Sequence, residues 1–477
     1  MTEGLPTIAI IGAGASGALC ALHLLTSAGD GHARLVLVGP DPLVGAGVAY
    51  STTYACHLLN VPASGMSALD DDPAHFVRWL DRHGRPGAQD EFVPRRLYGQ
   101  YLRDSLQLAT DRGLGEDMVD VVHDQVVGTE AEGGRQRLVL ARATPLVADA
   151  VVLATGIVPR HLPPGLGDGG PRCIAEPWDH AALSRIEPSA TVTLIGSGLT
   201  AVDTVLSLYE GGHRGPVHAI SHHGLLPRAH LRRAPGAAVP GPPVAELAAR
   251  VSHMEGTTTG QLFHQFRQVL DSAAAAGADW RDVVDVLRPV TASLWQRLDD
   301  TEKRRFRRHL ERLWNVHRHR MAPEVAQRIA ELRDGGLFHV HAGTVRSLHQ
   351  GQAALRLDVA LGPARQARSW ATDWVVNCTG PDPEVFSNAA PLMTALRQRG
   401  VVVPGPLGMG VATDDGGRPL DAQGRPVPWM WALGSLRQGE LLESTAVPEI
   451  RKQAQEVAVA ARGYLRRART AAPAGRP

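Results

Sequence analysis

Lysine is nearly missing: the 477 residues contain only Lys303 and Lys452, so arginine carries almost all of the positive charge. With 49 basic against 48 acidic side chains the formal charge is +1, which argues against broad electrostatic capture of nucleic acid or of an anionic membrane. Cysteine is scarce as well. Cys20, Cys56, Cys173 and Cys378 are scattered with no CxxC pair, which disfavours a disulfide framework, a cysteine-rich zinc site and a vicinal dithiol. No apolar run approaches membrane-spanning length, and no basic stretch leads into an apolar one at the start. The expected location is therefore a reducing cytoplasm, and the expected form a soluble chain of two or three domains.

Glycine is plentiful, and two clusters of it carry the argument. "TIAIIG" (7–12) reads as a buried strand, "GAGASG" turns into a helix running to about Leu25, and "ARLVLVG" (33–39) is the next strand. Strand, glycine turn, helix and strand in that order is the context that lets backbone N–H groups approach a dinucleotide phosphate. The pattern is restated by "SATVTLIGSGLTAVDTVLSLYEGG", followed by the strand "GPVHAIS". A dinucleotide fold usually places an acidic residue after the second strand to hold a ribose. Here Gly39 and Pro40 stand there, and Asp41, slightly late, is the candidate.

Residues 119–158 alternate like a β-meander and end on "ADAVVLATG"; 337–360 alternate again and end on "SWATDWVVNCTG". Between them, from about 242 to 334, the periodicity is helical. The expected fold class is α/β: two nested Rossmann-like units with a mainly helical insertion. The first unit is expected over 1–160 and 375–470, the second over 161–240 and 336–374, and the insertion, a substrate-side cap, over 241–335. A disordered tail is expected at 471–477.

The chain resembles the two-dinucleotide-binding-domain flavoproteins. Within them it is most similar to the bacterial FAD/NAD(P)-binding family that includes amine N-hydroxylating monooxygenases, such as the aspartate N-monooxygenases of nitrosuccinate pathways. The resemblance spans nearly the whole chain and rests on "GAGVAYSTTYACHLLNVPASGMSALDDDPAHFVRWL" (45–80), "FVPRRLYGQYL" (92–102), "ISHHGLLPRAH" (220–230), "LWNVHRHRMAP" (313–323) and "ALGSLRQGELLESTAVPEIRKQA" (432–454). It implies FAD on the first turn, with Gly12, Gly14, Ser16 and Gly17 at the pyrophosphate and Asp41 toward the ribose. Asn60 would lie on the flavin side or cap a turn, and Val126 would meet the adenine through its backbone. Thr155 and Gly156 of "ATG" would pass the FAD, although Ile157 stands where an aromatic residue often follows. Gly434 and Ser435 of "LGSL", with Ser444 and Thr445 capping the helix that Pro448 opens, would reach the flavin ring and ribityl chain.

The second turn would hold NAD(P)H through Gly196, Ser197, Gly198 and Thr200. Ser221, His222 and Arg228, with Arg232 and Arg233 nearby, are the candidates for the far ribose. No acidic residue sits there to repel a 2′-phosphate, which favours NADPH while leaving NADH open. "HRHR" (317–320) has no accompanying metal-ligand spacing. His317, Arg318 and Arg320 are read as a basic cluster facing substrate or cofactor, or as an arginine network between domains. The sequence singles out no catalytic acid or base. The resemblance implies hydride transfer from NAD(P)H to FAD, then reaction with molecular oxygen to a C4a-(hydro)peroxyflavin that hydroxylates the nitrogen of an amino acid or small amine. An NAD(P)H-dependent flavin reductase and a catalytically degenerate nucleotide-binding partner are the alternatives.

Overall fold

The computed structural model describes residues 5–26, 32–112, 118–156, 161–163, 165–167, 169–232, 241–351, 354–386 and 390–471. Ile157, Arg233 and the tail from 472 lie outside them. Two parallel sheets organise the chain. The first has the order Met430–Ala432, Ala150–Leu153, Thr7–Ile11, Arg34–Val38, Met118–Val122, parallel throughout. Its strands are short aliphatic runs because both faces are covered. One face carries the Ala15–Thr26 helix, whose Leu19, Leu22 and Leu24 share a core with Ala454, Val457 and Ala461 of the long Val447–Ala471 helix.

The second sheet has the order Gln366–Thr372, Leu355–Leu361, Phe338–His349, Val217–Ser221, Val192–Ile195, Trp374–Asn377, Cys173–Ile174. Its last five strands run parallel, and the first two form an antiparallel meander on Phe338–His349. The first unit has its own meander, Val126–Glu132, Arg135–Leu140 and Leu146–Ala148, as a separate three-stranded sheet. Met118–Val122, read from sequence as the start of that meander, is instead the edge strand of the parallel sheet.

Two boundaries shift relative to the sequence reading. Trp374–Asn377, which a break at 375 splits between the units, pairs in full with Val192–Ile195 and belongs to the second sheet. The Pro323–Asp334 helix buries Val325, Ile329 and Leu332 in the core beneath that sheet. It is thus the crossover helix leading into Phe338–His349, not part of the insertion. The helices from Val244–Ser252 to Glu311–Arg318 remain, and those between 244 and 287 surround a core of their own with Leu247, Val251, Val269 and Val283. Each unit therefore carries its long excursion in the same place, directly after the strand that follows its glycine-turn helix, Arg34–Val38 in the first unit and Val217–Ser221 in the second.

Candidate dinucleotide and substrate site

The two glycine turns share one geometry. Gly12 has φ +114° and Gly196 φ +115°, a region that side-chain-bearing residues avoid. A Cβ on Gly12 would lie 2.1 Å from the carbonyl oxygen of Ala154, and one on Gly196 would lie 2.2 Å from that of Cys378. The Gly12 N–H donates to Val38 O at 2.7 Å, and the Gly196 N–H to Ile220 O at 2.8 Å. Each turn is wedged between the strand that follows its helix and the strand that runs into Thr-Gly. The Ala-Thr-Gly and Cys-Thr-Gly strand ends occupy equivalent places.

Their surroundings differ. The first turn is enclosed. Gly45 N–H donates to Ala13 O at 2.8 Å, and Gly47 packs against Gly14. On the other side the Ser435 hydroxyl donates to the Gly156 carbonyl, and Gly434 approaches Ser16 Oγ so closely that a Cβ would sit 3.1 Å from it. Gly12, Gly14, Ser16, Gly17, Gly156, Gly434 and Ser435 are thus brought together, with exposed Thr155 beside them. Gly39 abuts Ala13, where any Cβ would lie 2.8 Å from its backbone nitrogen, so no acidic side chain can stand there. Asp41 lies exposed beyond it, with its carbonyl oxygen 3.1 Å from His123 Nδ1. Val126 is buried in the meander, opposite Leu140.

The second turn is open. No atom lies within 4 Å of where a Cβ on Gly198 would point, and no side chain caps the Leu199–Glu210 helix that starts there. The uncapped first-turn N–H groups and the positive helix end suit an anion. Thr200 is half-buried on that turn. Ser197, in contrast, turns its hydroxyl inward, 2.7 Å from Ser221 Oγ and donating to Leu225 O at 2.7 Å. Only its backbone is left for a ligand. Arg312, which closes the basic helical run 303–312, donates to Ser197 Oγ at 2.9 Å and to Leu225 O. His222 and Arg228 are exposed. The Arg228 backbone is tied to Val316 and Met321, which stitches "LPRAH" to the "HRHR" segment.

A buried ion pair joins the units. Arg95 of the Arg95–Arg112 helix donates to Asp203 of the Leu199–Glu210 helix at 2.7 and 3.3 Å, with both side chains under a tenth exposed. The same guanidinium donates to Leu58 O at 2.9 Å and reaches Asn60 Oδ1 at 3.4 Å. His57 lies between Thr52 Oγ1, at 2.7 Å from Nδ1, and Ser207 Oγ, at 2.8 Å from Nε2. Burial holds its pKa down, aided by Arg95 and opposed by Asp203, so the ring is neutral. His230 Nε2 donates to the Asn60 carbonyl at 2.9 Å. Asn60 is therefore gripped from both units, a role between the two that its sequence left open.

The expected substrate cluster is largely committed to the protein itself. Arg318 is buried and bonds Glu443 at 2.9 and 3.0 Å, with Glu449 at 3.8 Å. Arg288 grips both carboxylate oxygens of Glu449 through Nε and Nη2, the latter at 2.6 Å. These two arginines and two glutamates bolt the insertion to the start of the Val447–Ala471 helix, so Arg318 follows the second of its two readings, an arginine network between domains, and not that of a substrate ligand. Arg320 is buried and pairs with Asp285 at 2.5 Å, while its Nε and Nη1 have no partner. His317 donates Nδ1–H to Leu313 O at 2.8 Å and sets its ring edge-on to Trp280. Ser444 and Thr445 do not cap the helix: it begins at Val447 with Ala446 accepting the first N–H, and the Ser444 hydroxyl is enclosed without a partner. Burial pushes the Cys20 and Cys378 thiols up to about 12, so both stay protonated.

Comparison with known proteins fits this geometry. Residues 9–158 match a family model described as FAD-NAD(P)-binding. No curated protein matches the chain in sequence. Among solved structures, the fold is similar to that of the reduced form of an ornithine hydroxylase from Pseudomonas aeruginosa, with a TM-score of 0.64 at 16% identity over 97% of this chain and 100% of that one. It is similar to an ornithine N-hydroxylase from Kutzneria sp. 744, described with reduced FAD, NADP+ and L-ornithine, at 0.63, 16%, 97% and 100% in the same order. It is also similar to an L-lysine 6-monooxygenase from Pseudomonas syringae at 0.65, 14%, 96% and 100%. The chain has the two-dinucleotide flavoprotein fold. Its first unit contains the FAD/NAD(P)-binding domain, and the second repeats that domain's turn. The residues present fit two dinucleotides: each turn brings glycine backbone to the head of a helix, and the second keeps the space above Gly198 clear. No helix among the described residues is long and apolar enough to cross a membrane.

The site also sets a pH response. Burial, with Arg320 and Arg281 pushing the same way, lowers His230 to about 4, against the raising effects of Asn60 O and Asp285. The unfolded chain, with an imidazole near its ordinary value of about 6.5, binds more protons than the folded one below that pH. Stability is therefore full above about pH 6.5 and declines toward pH 5. A His230→Gln protein is expected to lose less urea resistance over this interval than the parent; an equal loss would mean that His230 takes up its proton without unfolding.

Proposed function

We propose that the protein is an FAD- and NADPH-dependent monooxygenase that N-hydroxylates an amine. The observation that carries the reading is the asymmetry of two otherwise matching turns. One is flanked by the 45–51 segment, Gly156 and Ser435, which suits a permanently held FAD; the other is open at Gly198, which suits a nicotinamide nucleotide that must come and go. The overall reaction converts R–NH2, O2, NADPH and H+ into R–NHOH, NADP+ and H2O. Bound FAD would supply the two-electron carrier and the ring that activates oxygen. The chain's own part is positional. Arg95, Asn60 and His230 hold the two units together across the cleft, and the Arg318–Glu443 clamp seats the insertion over it. Neutral His230 donates rather than repels there.

Arg312 supports NADPH as the electron source. It pairs with no carboxylate among the described residues, and burial lowers its pKa, so its charge is poorly compensated. It donates to Ser197, whose hydroxyl lies 2.7 Å from Ser221 Oγ at the end of the Val217–Ser221 strand, where such folds meet the adenosine ribose. Replacing Arg312 with alanine is expected to weaken NADPH binding by about 10- to 100-fold, the worth of a charge-assisted phosphate contact, and NADH binding much less. Equal losses for the two would remove Arg312 from this role. The test of the proposal itself is direct. The purified protein should be yellow, be bleached by NADPH, and release a hydroxylamine when given an amine and oxygen. Failure to hold FAD would overturn it, and reoxidation without any hydroxylamine across an amine panel would leave a reductase.

A further inference from the structure

Aromatic residues are few in this chain, with nine Trp and seven Phe, yet three of each line a single cavity of about 640 Å³ inside the helical insertion: Phe263, Phe266, Trp280, Trp295, Phe306 and Trp314. That volume lies within the range of about 300–1,000 Å³ typical of small-molecule sites. Most of the remaining wall is Leu, Val and Met, and no Asp or Glu among the described residues lines it. Its polar side chains are two threonines, His317, Arg228 and Arg281, and Arg281 is committed to Asp279 at 3.1 Å and to Ala229 O at 2.8 Å. Phe263 and Leu313, 40% and 46% exposed, form part of the wall and give it a solvent-facing side.

The cavity also reaches the first unit. Leu442 lines it and is held at φ +58°, a conformation that a leucine adopts only when its surroundings impose it. Leu442 directly precedes Glu443, Ser444 and Thr445, the segment leading into the Val447–Ala471 helix. Trp295, another wall residue, donates to Gly439 O at 2.8 Å in the same stretch. The apolar chamber and the cofactor-side loop are thus one continuous structure.

We infer that this cavity seats the apolar body of the substrate, and that the amine hydroxylated carries an aromatic or long alkyl group rather than the compact charged frame of an amino acid such as ornithine or aspartate. The inference rests on the monooxygenase reading above. A short zwitterion would find no carboxylate here for its ammonium group, and Arg318 and Arg320 are already engaged with Glu443 and Asp285. A dry wall with cationic Arg228 nearby also disfavours a protonated amine, and the neutral form has the lone pair that N-hydroxylation requires.

The test is calorimetric titration of the FAD-loaded protein, without NADPH, using hexylamine, octylamine, decylamine and 4-phenylbutylamine against L-ornithine and L-aspartate. Affinity is expected to rise about fourfold per added methylene, with both amino acids bound at least about tenfold more weakly than decylamine. Leu294→Trp, which fills the cavity from a partly buried wall position, should weaken decylamine at least about tenfold. Phe263→Ser, a change at an exposed wall position that leaves the insertion's core intact, should weaken it by a smaller factor. Affinity indifferent to chain length, or equal for L-ornithine and decylamine, would overturn the inference. So would a dimer in sedimentation that Phe263→Ser dissociates while decylamine binding is unchanged, because the cavity would then serve a second copy. The two readings fail separately. Tight, length-dependent binding with no hydroxylamine under NADPH and oxygen removes N-hydroxylation and keeps an apolar ligand; hydroxylated ornithine with no alkylamine binding does the reverse.

Discussion

A Gly198→Leu protein is expected to fold, to remain yellow and to bind NADPH at least about 100-fold more weakly than the parent, because two charge-assisted backbone contacts to a pyrophosphate are worth about 3–6 kcal/mol together. The expectation comes from the space around the residue. Gly198 has no atom within 4 Å of its missing Cβ, so a leucine there meets solvent and not protein. It would, however, fill the region over the uncapped head of the Leu199–Glu210 helix, where a phosphate must sit. Gly196, two residues earlier, is no substitute for this experiment, since a Cβ there would collide with the Cys378 carbonyl and disturb the sheet itself. The measurement is a binding isotherm for NADPH alongside the flavin absorbance of the same sample. Loss of FAD with NADPH binding retained would reverse the assignment of the two turns, and unchanged binding of both would remove the second turn from nucleotide binding.

The glycine turns were legible because everything that defines them is local: an aliphatic strand, a residue at positive φ, and a helix head within a few positions. The same holds for Pro448 in the first turn of the Val447–Ala471 helix. What the sequence hid was pairing at a distance. Trp374–Asn377 looks like any terminal strand, and only its register with Val192–Ile195 shows which sheet it closes. Pro323–Asp334 has the same helical period as its predecessors, and only the burial of Val325, Ile329 and Leu332 under the second sheet separates it from the insertion. "HRHR" advertised positive charge, but the carboxylates that neutralise it, Glu443 and Asp285, stand 125 and 35 residues away. The serine and threonine expected to cap the last helix were displaced when the chain turned through Leu442 and began the helix only at Val447. Side chains whose roles are set by long-range partners are also those that hold the cleft together. Arg95, Asp203 and His230 fell inside recognisable motifs, yet no local signal marked them.

Removing one member of the Arg95–Asp203 pair should be strongly destabilising. Arg95→Ala leaves the Asp203 carboxylate buried at the head of the second unit with no cation, and Asp203→Ala strands the guanidinium instead. Either is expected to cost about 3–5 kcal/mol, as for other buried pairs broken from one side. Both side chains are less than a tenth exposed, and Arg95 also holds Leu58 O and Asn60, so solvent cannot easily replace the lost partner. The double change Arg95→Leu with Asp203→Leu leaves no unpaired charge and should cost less than either single one, which separates the desolvation penalty from the attraction itself. Urea unfolding followed by tryptophan fluorescence, with flavin release monitored in parallel, reads both. If the clamp holds Asn60 for the cofactor as well as joining the units, flavin release should begin at lower urea than tryptophan exposure in Arg95→Ala, but coincide with it in the parent. A single replacement costing under about 1 kcal/mol, the level of a surface pair, would show that water reaches the two groups and that the units are not joined there.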